Sequence, residues 1–140
     1  MTANLWLAAA GALSAAASAA HLAIIVGGPR WYDFFGAGPR MVRLAEQGSP
    51  KAALITFGIA AVLAVWAAYA FSGAGLIPRL PFLKLALAAI SAVYLLRAIG
   101  YIPALYAAGA PVGAFAWISS AIVLLYAVVH VIGTLELWRT

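Results

Sequence analysis

Four stretches of this chain, residues 5–26, 52–71, 83–102 and 115–137, run almost without charge, and that feature limits what the chain can fold into more than any other. A helix needs roughly 20 residues, at about 1.5 Å rise each, to cross the hydrocarbon of a bilayer. Within the hydrocarbon every backbone N–H and C=O must be satisfied inside the protein, so a helix is the form such a stretch takes. Charged residues make up 8% of the chain, against about 25% in soluble domains. The expectation is an all-α integral membrane four-helix bundle with up-down-up-down topology, built as a single transmembrane domain over residues 1–140.

The opening "MTANLWLAAAGALSAAASAAHLA" has a small-residue "ASA" but no Lys or Arg before Arg30, so it reads as the first span rather than a cleaved secretion signal. Gly11, Ala15 and Ala19, four residues apart, form a small-residue face expected to pack closely on a neighbour. Ser14, Ser18 and His21 make a second, mildly polar stripe on the same helix. The loop that follows contains "PRMVRLAEQ", whose pattern predicts a short amphipathic interfacial helix between Pro39 and Gln47. Met41, Leu44 and Ala45 lie on its apolar side, and Arg40, Arg43 and Glu46 reach water or headgroups. Trp31, Tyr32, Phe34 and Phe35 suit an interfacial aromatic anchor.

Arg30, Arg40, Arg43 and Lys51 fall on one membrane side, and Arg79, Lys84 and Arg139 on the other. The excess favours a cytoplasmic first loop with both termini outside. The net charge of +5 suits contact with anionic headgroups, while the dispersed basic residues give no nucleic-acid surface. The absence of cysteine removes disulfides, thiolate metal sites and thioether haem attachment.

One cation stands inside a span. Arg97, in "AVYLLRAIGY", is flanked by Tyr94 three residues before and Tyr101 four after, all on one helical face. A charge at mid-span costs about 2.5–3.5 kcal/mol, so it faces a cavity, a partner or, by snorkelling, the interface. Counted from the loop-side ends of the spans, His21, Arg97, Ser119 and Ser120 are expected five or six residues inside, roughly 8–9 Å deep, with Thr56 slightly shallower. Two accounts of Arg97 stay open. It has a structural role, by snorkelling or by pairing with Asp33, Glu46 or a loop carbonyl, or it anchors a ligand.

In the ligand account the protein binds or moves a small amphipathic anion or lipid in an intrahelical pocket lined by Arg97, His21, Ser119, Ser120, Tyr94, Tyr101 and Thr56 and supported by Asp33, Glu46 and Arg30 from the loop. The alternative is a non-catalytic subunit that docks on itself or on another membrane protein. An intramembrane enzyme ranks third: Ser119 or Ser120 with His21 and Asp33 supplies nucleophile, base and acid types, but serines in spans ordinarily bond their own or a neighbouring helix. No catalytic residue, cofactor or metal is assigned. His130 and Glu136 are six apart and off one face, and His21 and His130 fall near opposite membrane sides, which argues against a shared haem. No acidic residue lies centrally in the first span, where a proton-coupled small exporter would need its carboxylate.

"FFGAGPRMVRLAEQGS" and "LLRAIGYIP" resemble small four-span bacterial inner-membrane proteins. The likeness runs along most of the chain and implies architecture and an inner-membrane location, with no activity and no functional residue.

Overall fold

The computed structural model describes residues 3–140. Six helices follow one another: α1 (Leu5–Gly27), α2 (Pro29–Phe34), α3 (Pro39–Glu46), α4 (Pro50–Gly73), α5 (Leu83–Ala107) and α6 (Ala114–Arg139). The four long ones, α1, α4, α5 and α6, are each long and apolar enough to cross a membrane, and the chain is an all-helical integral membrane protein. α5 passes through Pro103 and ends five residues beyond the expected limit of 102. Helical bonding resumes on the far side of the proline, and the last turn closes where the N–H of Ala108 donates to the carbonyl of Ala104.

The chain divides into two compact units, and α1 and α4 run unbroken through both. One unit comprises the chain up to Ser14 together with Trp66–Thr140, and so holds part of every long helix. Short links, residues 74–82 and 108–113, turn consecutive helices back on one another. The Ser72 hydroxyl organises the first link by donating to the Pro78 carbonyl at 3.0 Å and accepting the Leu80 N–H at 2.9 Å.

Helices in lipid gain little from apolar burial against each other, so close backbone approach and dispersion hold them. Leu7 and Leu87, both fully buried, fill the space left by missing side chains on Gly73 and Gly133. A Cβ on Gly73 would lie 2.6 Å from Leu7 and 2.8 Å from Leu87; on Gly133 it would lie 2.7 Å from the Leu7 side chain and 2.9 Å from its backbone nitrogen. Asn4 fastens the same corner. Its carbonyl oxygen accepts the Leu7 N–H at 3.1 Å, capping α1, and its amide donates to the Gly133 carbonyl at 2.8 Å.

The second unit, Ala15–Val65, contains the rest of α1 and α4 with α2 and α3. Gly28 (φ 74°) and Gly38 (φ 96°) take left-handed turns that other residues resist, and the prolines after them start α2 and α3. Ile24, Tyr32 and Ala52 form the core, with Met41, Val42, Leu44 and Ala45 of α3 packed against it. The apolar side of α3 therefore meets protein, and Arg40, Arg43 and Glu46 stay exposed, as the amphipathic pattern requires. The loop holds a second short helix, α2, which no sequence period announced. It turns Tyr32 inward and leaves Trp31, Phe34 and Phe35 exposed, so three of the four expected anchor aromatics face outward.

The polar stripe of α1, not the small-residue face, is the one that goes inward. Ser14 and Ser18 are buried; Gly11 packs on Phe71, while Ala15 and Ala19 are exposed. A hydroxyl facing acyl chains would lack partners, whereas alanine loses nothing there. Ser18 accordingly donates to the Ala60 carbonyl of α4 at 2.7 Å.

Gly133→Ala should destabilise the protein by about 1–3 kcal/mol, because the new methyl meets the Leu7 backbone and not only a movable side chain. Gly58→Ala, which meets nothing within 4 Å, should be neutral or gain up to about 1 kcal/mol from helix propensity. Reversible unfolding in mixed micelles would compare them; equal stabilities would contradict the packing described.

Candidate functional site

The inward stripe of α5 runs through Leu83, Leu87, Ile90, Ser91, Tyr94, Ala98 and Ile102, a three- and four-residue spacing. Two of these residues carry hydroxyls, and both find partners within the first unit. Ser91 and Thr134 lie 3.2 Å apart. The Tyr94 hydroxyl lies 2.8 Å from that of Ser14, which lies 3.4 Å from Nε2 of His130, and Nδ1 of His130 lies 2.7 Å from the Tyr126 carbonyl.

The proton order along this chain follows from valence. A carbonyl only accepts, so Nδ1 carries the hydrogen, and Nε2 of the neutral ring is left as an acceptor. Ser14 then spends its one hydrogen on Nε2 and accepts from Tyr94. Every hydrogen is used once. Around it, Trp66 stands edge-on to Tyr94 at 5.1 Å, with the Tyr126 ring at 5.6 Å and the His130 ring at 4.7 Å. Tyr94 thus joins all four long helices through Ser14 of α1, Trp66 of α4 and Tyr126 and His130 of α6. Ser14 and His130 are both 0% exposed, so this serine–histidine contact has no face for a substrate and works as an interhelical lock.

Arg97 lies beside that stripe, half-buried, on the same helix. Its guanidinium carbon sits 3.7 Å above the centroid of the Tyr101 ring. The ring face compensates part of the cationic charge. It does not take up the in-plane hydrogens: Nη1 is shielded from solvent and has no hydrogen-bond partner among the described residues. The long helices carry one carboxylate, Glu136, which is exposed near the end of α6. Arg97 therefore keeps one shielded nitrogen without a hydrogen-bond partner among the described residues, inside a membrane-spanning helix.

The expected pocket residues divide as follows. Arg97 and Tyr101 are in direct contact, while Tyr94 spends its hydroxyl on Ser14. Ser91 opposite Thr134 and Tyr94 beside His130 set the register of α5 against α6, and this puts Arg97 near residues 127–128. Ser119 and Ser120 are then roughly 10–13 Å away along the helix, so the common depth expected for these three groups does not hold. Pro103, which the sequence marks as an end or a kink of the third span, lies inside α5, and the helix continues to Ala107. Ser119 donates to the Ala116 carbonyl of its own helix at 3.2 Å, and the buried Ser120 hydroxyl has no partner among the described residues.

In the second unit, His21 is bonded through Nδ1 to the Ala17 carbonyl at 2.7 Å. Thr56 lies 2.8 Å from the Ala52 carbonyl and 3.0 Å from the Tyr32 hydroxyl. Arg30, Asp33 and Glu46 are exposed on α2 and α3. Among the described residues no group of three or more His, Cys, Asp or Glu could hold a metal ion. The network residues Ser14, Trp66 and His130 were not among the expected site residues. One signal for them was present: Tyr126, His130 and Thr134 recur every four residues and form a polar ridge on α6.

No protein-family model, no curated protein and no solved structure matches this chain.

Tyr94→Phe keeps the ring and removes one hydrogen bond, and should cost about 0.5–1.5 kcal/mol, in line with interhelical bonds in membranes. Tyr94→Ala also vacates the contact with Trp66, Tyr126 and His130 and should cost about 3–5 kcal/mol. Denaturant titration in micelles would read both; a Tyr94→Ala protein within 1 kcal/mol of Tyr94→Phe, on the scale of one such bond, would show that the aromatic hub carries little.

Proposed function

We propose that this protein binds a small amphipathic anion, a lipid headgroup or an organic acid with an apolar tail, through Arg97 from within a bacterial inner membrane. The observation that carries the proposal is the unpartnered Nη1 of Arg97, on a guanidinium whose carbon lies 3.7 Å from the centroid of the Tyr101 ring. Contact with the ring limits the freedom of the guanidinium before an anion arrives, so less entropy is lost on binding. A carboxylate or phosphate can accept two parallel hydrogen bonds from a guanidinium, and an apolar tail can lie along the exposed Leu96 and Ile99 of the same helix. Tyr101 is the positioning residue, and Tyr94 acts one turn earlier by holding α5 to the other three helices.

An assembly role is supported by a different observation: Ala12, Ala15, Ala16, Ala19 and Ala20 leave a run of small side chains exposed on α1. In lipid such faces favour close helix approach. A concentration-dependent dimer lost on Ala16→Leu would favour that role.

Titration of the purified protein with lysophosphatidylglycerol, oleate and lysophosphatidylcholine should show preference for the anionic amphiphiles. Arg97→Gln should weaken them by about 10–100-fold, the range expected for a charge-assisted bond. Arg97→Lys, which keeps the charge but not the fork, should fall between. Affinities indifferent to Arg97→Gln would exclude the proposal.

A further inference from the structure

A groove of about 300 Å³ lies between α5 and α6 in the first unit, lined by Ala88, Ser91, Val131, Thr134, Leu135 and Trp138. Its position is independent of Arg97, which lies six residues beyond Ser91, roughly 9 Å deeper along α5. Although two of its lining residues are hydroxylic, Ser91 and Thr134 face each other at 3.2 Å and spend their polarity together. What remains to an occupant is hydrocarbon and the Trp138 ring.

The outer end of the groove is not neutral. Lys84, in the first turn of α5, places Nζ 5.8 Å from the centre of the Trp138 ring. The same end of the unit carries Arg79 in the α4–α5 link and Arg139 in the last turn of α6, against one carboxylate, Glu136. An apolar trough that ends at an indole and an ammonium matches one ligand chemistry, an acyl chain that ends in an anionic headgroup. Tryptophan and lysine both favour the level at which chain meets headgroup.

We propose that this groove is a specific site for an anionic phospholipid, one acyl chain lying against Ala88, Val131 and Leu135 and the headgroup phosphate on Lys84. A helix of a second copy is a poorer occupant: docked in parallel it would bring Arg79, Lys84 and Arg139 toward their own counterparts, where like charges repel.

The test is native mass spectrometry of the full chain in neutral detergent with equal amounts of phosphatidylglycerol and phosphatidylcholine. One phosphatidylglycerol should be retained in preference. Lys84→Gln should reduce that preference about fivefold, the effect of one basic residue at an anionic surface. Lys51→Gln, in the other unit, should leave it unchanged. Ala88→Phe, which fills the trough from an exposed position, should remove the Lys84-dependent part of that preference at unaltered helicity and thermal midpoint, leaving any binding that depends on Arg97.

A second readout reports location. Phosphatidylglycerol brominated in its acyl chain should quench tryptophan emission less in Trp138→Phe than in the native chain by more than one fifth of the total, since five tryptophans are present. Equal retention of the two lipids, or a preference indifferent to Lys84→Gln, would overturn the proposal. So would a dimer that Ala88→Phe disperses, which would assign the groove to a second copy.

Discussion

In the hydrocarbon of a membrane a hydroxyl or an imidazole has no water to fall back on, and the rest of this structure depends on how that shortage is met around Tyr94. Its hydroxyl, that of Ser14 and the ring of His130 form one directed chain that ends on the Tyr126 carbonyl. Each link needs the next in one position and one tautomer. Apolar packing alone would permit helices in lipid to slide or rotate, because one leucine contact is much like another. Hydrogen bonds fix the register that the leucines then fill, with Leu7 and Leu87 seated over Gly73 and Gly133.

The same rule organises the second unit with different parts. Thr56 meets Tyr32 beneath the short helices, and Ser18 reaches the Ala60 carbonyl. In both units buried hydroxyls of the spans turn toward protein, and on α1 Ala15 and Ala19 turn toward the surface. This explains why the serine stripe of α1 is inward although its alanine stripe has the spacing associated with close packing. Desolvating an unpaired hydroxyl costs about 1–3 kcal/mol, more than the dispersion gained by bringing two small faces together.

Arg97 departs from the rule, and that is why the functional proposal rests there. Its charge is met by the Tyr101 ring, but Nη1 is left without an acceptor. Natural structures pair most buried polar atoms, and the proposed anion would supply the acceptor that Nη1 lacks among the described residues. The outer groove by Lys84 meets membrane chemistry in another way, with a saturated apolar floor and a cation at the rim.

Residues 5–26, 52–71, 83–102 and 115–137 were legible in the sequence as helices because length and apolarity leave no other backbone solution in lipid. α3 was legible from its amphipathic period, and so were the isolation of Arg97 and its sharing of a helical face with Tyr101, from a four-residue spacing. Three things were decided only by tertiary structure: the continuation of α5 through Pro103, the separation of Ser119 and Ser120 from Arg97, and the union of Ser14, Tyr94 and His130. The reason is physical. Periodicity states which residues share a face of one helix, but the register between two helices is set by hydrogen bonds and glycine contacts between residues up to 129 positions apart, as from Asn4 to Gly133, and no local pattern encodes them.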